Sequence, residues 1–170
     1  VHSIRNPAIL RDFFLLLMER AGKLCSINKM ANILSISVDT ARRYLEMFED
    51  SYLIFLVPRC GKTNERLLSA KKIYAADLGI RTLFTGFRDK GSLFENYVYL
   101  KIRPQKPCYV SKQGTEIDFL TAQKVLIEVK FGQRMTDKQQ LLFDQYPAKQ
   151  KFLINGIQDF DRLKDQNGLS

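Results

Sequence analysis

The chain has 170 residues, 45% hydrophobic and 26% charged, with a formal net charge of +9. These values suit one ordinary globular domain or two small ones. The longest apolar runs, such as FFLLLM at 13–18, are far short of the roughly 20 residues that cross a bilayer. The opening VHSIRNPAIL has no apolar signal core, so the expectation is a cytoplasmic protein with no membrane segment.

The first half reads as three helices followed by two strands. Asn6 caps and Pro7 opens a helix running to Ala21, where Gly22 stops it. A short helix fits Asn28 to Leu34. The tight connection Ser35-Ile36-Ser37 follows, with Ser35 at a turn position that glycine would fill more easily, and Ser37 caps a third helix through Glu49. In that helix Ala41, Tyr44, Leu45 and Phe48 fall at core spacing, leaving Thr40, Arg42 and Arg43 on the face a recognition helix turns to DNA. YLIFLVPR and KKIYAAD read as strands around a basic loop, CGKTNERLLSA, which carries Lys62 and Arg66. Three helices and a wing make a winged helix-turn-helix over residues 1–85. Such a domain also serves as a spacer between proteins or domains. The net positive charge, spread over both halves, favours polyanionic partners such as DNA.

Gly61-Lys62-Thr63 matches the end of a phosphate-binding loop, but the glycine that would begin it is Leu56, inside an apolar strand. No nucleotide site is therefore expected in this chain. Leu78 to Gly91, with three glycines, reads as a junction. The second unit, 86–170, then follows as α-β-β-β-α-β. Ser92 caps a helix to Ile102, Tyr109–Lys112 turns at Gln113-Gly114 into a hairpin, Thr136 caps a crossover helix, and KFLING is the last strand.

The hairpin EIDFLTAQKVLIEVK, 116–130, carries charges in otherwise apolar strands. Alternation places Glu128 and Lys130 on one side, where an antiparallel neighbour brings Asp118 to them. Two carboxylates and an ammonium then converge on one spot. The competing readings are a solvated charge pattern for Glu128 and Lys130, an edge-strand surface position for Asp118, and a capping box with Ser92 for Glu95. The sole histidine, His2, lies at the chain end, which disfavours histidine-based catalysis. Cys25, Cys60 and Cys108, odd in number and widely spaced, are expected to be reduced thiols.

Asp118, ten residues, and Glu128-Val129-Lys130 resemble the PD-(D/E)XK nuclease superfamily, with a restriction-endonuclease-like fold. Read together, the YLIF strand, KKIYAADLGI, GSLFENYV, EIDFL and IEVK resemble the C-terminal region of a family of bacterial and archaeal AAA-type ATPases, from about Ile4 to Gly156. The superfamily pattern implies that Asp118 and Glu128 hold Mg²⁺ or Mn²⁺, that Lys130 orients or activates the attacking water, and that Glu95 supplies a helix carboxylate. Ile117 stands where the superfamily has proline. The family resemblance implies an upstream ATPase module of the same polypeptide. The expectation is a DNA-binding module with a metal-dependent phosphodiesterase site; the alternative is a non-catalytic interaction domain that retains the fold.

Overall fold

The computed structural model describes residues 6–167, so His2 lies outside the described residues. The chain is mixed α and β with two small sheets. It divides into two compact units: residues up to Leu56 with Ala70–Arg88, and Val57–Ser69 with the chain from Asp89 onward.

In the first unit, α1 (Pro7–Glu19) starts at Asn6, whose side-chain oxygen accepts the Ala8 and Ile9 N–H groups. These are orphan donors of a helix start, and Pro7 has no N–H to leave unpaired. Ser26 and Ser37 cap α2 (Ile27–Ile33) and α3 (Val38–Asp50) in the same way. Ser35 between them takes φ 52, the left-handed conformation that costs a non-glycine residue steric strain. The helices close over Phe13, Leu17, Met30, Ala41, Leu45 and Phe48. Phe13 stacks on Phe48 at 6.4 Å and Phe14 tilts against it at 4.9 Å; each fully buried ring contributes about 1.5–3 kcal/mol. The strands β1 (Ile54–Val57) and β2 (Lys72–Ala75) pair. Residues 22–25 also run along β2, with Gly22 N–H donating to Ile73 O at 2.7 Å.

Two sequence expectations change here. The stretch between β1 and β2 is not an open loop, because Thr63–Leu68 forms α4, and Val57–Ser69 groups with the second unit. Cys60 and Cys108 are not reduced thiols either; they form a disulfide with Cα atoms 5.1 Å apart. The cause of both is a β-bridge between Arg59 and Tyr109. Cys60 N–H donates to Tyr109 O at 2.7 Å, Tyr109 N–H to Pro58 O at 3.0 Å, and Arg59 Nη2 to Ser111 O at 2.8 Å. Spacing along the chain could not reveal that pairing. Cys25 remains free and buried, and burial, opposed by the nearby Arg20 charge, pushes its thiol up to about 11.

The expected junction is largely helical. Asp77 caps α5 (Leu78–Thr85), which returns to the first unit's core by placing Phe84 edge-on to Phe14 at 5.5 Å. In the second unit, α6 (Lys90–Ile102) starts at Asp89, which accepts the Ser92 N–H. Ser92 is thus inside the first turn rather than its cap. The strands β3 (Cys108–Lys112), β4 (Thr115–Leu120), β5 (Val125–Val129) and β6 (Gln150–Ile154) form one sheet in that order. The first three are antiparallel and β5 pairs with β6 in parallel; the helix α7 (Asp137–Gln145) makes the crossover. Gln113 and Gly114 take φ 51 and 78, the mirror-image turn whose twist matches the flanking strands. A final helix, α8 (Ile157–Asn167), was not expected from the sequence.

All five residues of β5 are buried, as befits a strand covered on both faces. Phe143 of α7 joins Val110, Ile117, Leu120 and Leu126 in one cluster. Tyr99 of α6 stacks on Phe119 at 6.1 Å, and Tyr97 meets Phe160 of α8 at 5.6 Å. No helix among the described residues is long and apolar enough to cross a membrane.

The disulfide spans 48 residues. In the chain-entropy account, closing a loop of that length lowers unfolded-state entropy by the equivalent of about 4 kcal/mol. Cys60→Ala with Cys108→Ala is therefore expected to lower the urea-unfolding free energy by up to about that amount. A reductant should lower the wild type to the same value and leave the double variant unchanged.

Candidate active site

The site begins with an irregularity in β4. Its register against β3 runs Cys108↔Leu120 and then Val110↔Ile117, a step of two residues on β3 against three on β4. The extra residue falls at Asp118-Phe119. Strict alternation would put Ile117 and Phe119 on one face. Instead Ile117 shares the α7 cluster with Leu120, while Phe119 meets Tyr99 of α6. A bulge re-aims side chains in this way.

On its other side β4 pairs with β5 at Phe119↔Ile127 and Leu120↔Leu126. At the next position carboxylates enter the bonding between the strands. Asp118 N–H donates to Glu128 Oε2 at 3.0 Å, and Val129 N–H donates to Asp118 Oδ2 at 3.0 Å. Each acid thus accepts a backbone hydrogen from the strand that carries the other. Glu128 is fully buried and Asp118 is 8% exposed. Lys130 Nζ lies 2.8 Å from Glu128 Oε1, and Gln139 Nε2 donates to the same oxygen at 3.3 Å.

Burial, and then the negative charge of Asp118, push the Glu128 carboxyl up to about 8, against the bond and charge of Lys130 and the Asp118 backbone bond. Burial by itself would lower the Lys130 ammonium, but Glu128, Asp118 and Glu95 together hold it above its ordinary value. Glu95 on α6 therefore lies within electrostatic reach of Lys130. Three carboxylates thus act on one ammonium, and Glu128 touches it.

The structure thus brings together Glu95, Asp118, Glu128 and Lys130. Glu95 makes no capping box with Ser92, because the helix begins three residues earlier at Asp89 and Glu95 falls in its second turn. The other candidates belong to other elements, α3 and the cap and body of α4. Thr40 is tied into the start of α3, with its hydroxyl 2.8 Å from Ser37 Oγ and accepting from Arg43 at 3.3 Å. Arg42 pairs with Asp39 at 3.3 Å and keeps 58% of its side chain exposed, a contact of little energetic weight. Lys62 and Arg66, expected beside these residues on a wing, belong to the second unit at the start of α4 and within it. Lys62 N–H donates to Glu65 Oε2 at 2.9 Å. Gln139 was missed. Its sequence signal, Thr136-x-x-Gln139, announces a helix cap and not a partner for Glu128.

Among the described residues, no group of three or more His, Cys, Asp or Glu side chains is arranged to hold a metal ion. Asp118 and Glu128 nevertheless supply the hard oxygen donors that Mg²⁺ or Mn²⁺ takes, and Mg²⁺ commonly uses one or two carboxylates with waters and substrate phosphate. A bound cation would favour the ionised form of Glu128, whose carboxyl otherwise keeps its proton up to about 8. Lys130 covers Glu128 Oε1.

The family described as "Domain of unknown function (DUF8612)" matches residues 1–91; the four clustered residues lie beyond that stretch. The chain is also 32% identical over 152 residues to the uncharacterised protein MJ1544 of Methanocaldococcus jannaschii, a match covering 81% of this chain and 34% of that protein. The chain therefore spans about a third of the length of this relative. No solved structure matches it.

Glu128 links stability to pH. Folded, its carboxyl holds a proton up to about 8, against an ordinary 4.5, so between these values the folded chain binds more protons than the unfolded one. Its contribution is fully present below 4.5 and is lost as pH rises through about 8. Urea-unfolding free energies are expected to fall across that window. In Glu128→Gln this fall should vanish, from a lower starting stability, because the new amide must turn an N–H toward a donor.

Proposed function

The chain belongs to that family, and we propose that it is a DNA-binding module whose second unit is a nuclease-type domain with a metal-dependent phosphodiesterase centre. In this reading the first unit is a winged helix-turn-helix, and the second is restriction-endonuclease-like. The observation that carries the proposal is the crossed pair Asp118 and Glu128, buried where β4 and β5 hold two backbone-ladder positions, with the Lys130 ammonium on Glu128. Buried charge that exceeds its counter-charge is costly. A carboxyl raised like that of Glu128, beside a second buried acid, is a feature that functional sites share.

Asp118 and Glu128 would hold Mg²⁺ or Mn²⁺. Such an ion supplies Lewis-acid polarisation of a phosphoryl oxygen and a water nucleophile near neutral pH. Lys130, already directed at this point by Glu128, orients the attacking water and stabilises negative charge developing on the phosphate. Glu95 adds a helix carboxylate whose charge, after those of Glu128 and Asp118, favours the ammonium form of Lys130. Thr40, Arg42 and Arg43 in the first unit, and Lys62 and Arg66 in the second, supply phosphate contacts. The additional length of the archaeal relative accommodates the ATPase module that this reading couples to the chain.

One observation favours a second reading, a non-catalytic interaction or regulatory domain that retains the fold. The Lys130 ammonium at 2.8 Å occupies an oxygen that a metal would need. Titration calorimetry with Mn²⁺ separates the two. Wild type should bind, and Asp118→Asn should not, because it keeps an acceptor for Val129 N–H but loses the charge. Lys130→Met should bind the ion and fail to cleave DNA. Absence of Mn²⁺ binding in the wild type would leave the interaction-domain reading.

DNA binding is tested by fluorescence anisotropy on a duplex across a salt series. Each neutralised phosphate contributes about −0.9 to the log–log slope, so Arg42→Ala with Arg43→Ala should reduce the slope by about 1–2. An unchanged slope would remove α3 from the interface.

A further inference from the structure

The buried carboxylates are held by a third element that the hairpin does not contain. Gln139 sits at the third position of α7. Its Oε1 accepts the Thr136 N–H at 3.2 Å and the Thr136 hydroxyl at 3.4 Å, while its Nε2 donates to Glu128 Oε1 and to Glu116 O, both at 3.3 Å. The bonds to the Thr136 N–H and the Glu116 carbonyl require this amide orientation, and the Thr136 hydroxyl is compatible with it. Reversed, the amide would set oxygen against the Glu128 carboxylate and the Glu116 carbonyl, and N–H groups against Thr136 N–H. The Thr136 backbone N–H and the Glu116 carbonyl, neither of which depends on the Thr136 hydroxyl, therefore select the direction in which the amide nitrogen points.

We propose that Gln139 is a positioning residue of the carboxylate site: its amide, oriented by the Thr136 backbone N–H and the Glu116 carbonyl, fixes Glu128 so that Oε2 stays on the Asp118 N–H and Oε1 beside Lys130. This rests on the functional reading above. A neutral donor suits the task. It satisfies a buried carboxylate oxygen without supplying the positive charge that would compete with a bound cation. Gln139 also reaches the Glu116 carbonyl on β4, so the same side chain spans β4 and β5 where their backbone register ends at Phe119↔Ile127. Residues that orient a metal ligand in this manner typically account for about 10–100-fold in affinity.

Two variants separate positioning from capping. Gln139→Met keeps the length but removes the amide; Thr136→Ala removes the hydroxyl cap but leaves the Gln139 donor. Two measurements are made on each: Mn²⁺ affinity by calorimetry, and exchange of the Asp118 amide hydrogen by NMR, which reads the bond to Glu128 Oε2 with no metal present. Gln139→Met is expected to weaken Mn²⁺ binding by about 10–100-fold and to exchange the Asp118 hydrogen about five- to tenfold faster. Thr136→Ala should lower the thermal midpoint while leaving both readings at their wild-type values.

Unchanged Asp118 exchange in Gln139→Met overturns the proposal, whatever happens to affinity. So does Thr136→Ala shifting both readings as far as Gln139→Met, because the effect would then be that of the helix cap. If the wild type binds no Mn²⁺, the phosphodiesterase reading falls, and the exchange result by itself decides whether Gln139 positions Glu128.

Discussion

Two buried acids that accept each other's strand hydrogens, Asp118 and Glu128, are the constraint around which the second unit is arranged. A carboxylate inside a protein costs several kcal/mol unless its oxygens are satisfied, and here satisfaction comes from the backbone itself. For Asp118 to reach Val129 N–H, β4 must depart from regular alternation, and the extra residue at Asp118-Phe119 does this. For Glu128 to remain with a second acid beside it, cationic and neutral donors must be at hand, and Lys130 and Gln139 provide them. The helix α6 contributes Glu95 to the field on Lys130, and Tyr99, one turn further along α6, holds Phe119 in place. Covering β5 with β6 on its far side then excludes water.

Two acids are buried beside one ammonium, and burial together with the Asp118 charge raises the Glu128 carboxyl. Were stability the purpose, an apolar pair of similar volume would be as good or better. The sheet beside the two acids is filled by Val110, Ile117, Leu120, Leu126 and Phe143. A rigid apolar frame supporting a strained electrostatic point is the division of labour that a binding or catalytic site requires.

The other long-range constraint is at the sheet edge. An edge strand such as β3 presents unpaired backbone groups that invite association. Residues 58–60 take up part of that edge, held by the Arg59–Tyr109 bridge, by Arg59 on Ser111 O, and covalently by Cys60–Cys108. The same attachment explains why Lys62 and Arg66 travel with the second unit although the chain reaches them between β1 and β2, the paired strands of the first-unit sheet.

What the sequence determined by itself was local. Asn6, Ser37 and Thr136 announce helix starts because a capping side chain reaches only two or three residues along the chain. The hairpin turn at Gln113-Gly114 and the pairing of Glu128 with Lys130 follow from neighbouring residues and a period of two. Ser92 was misjudged even at that range, since Asp89 is as good a cap; the boundary between the two units, after Arg88, falls within the expected junction, whose first part is the helix Leu78–Thr85. The bulge, the Gln139 bond and the disulfide were decided only by the tertiary structure. Each joins residues brought together by strand pairing or crossover, at separations of 11 residues for Gln139 and 48 for the cysteines. At such distances composition and periodicity carry no signal, because what selects the partner is the register of one strand on another.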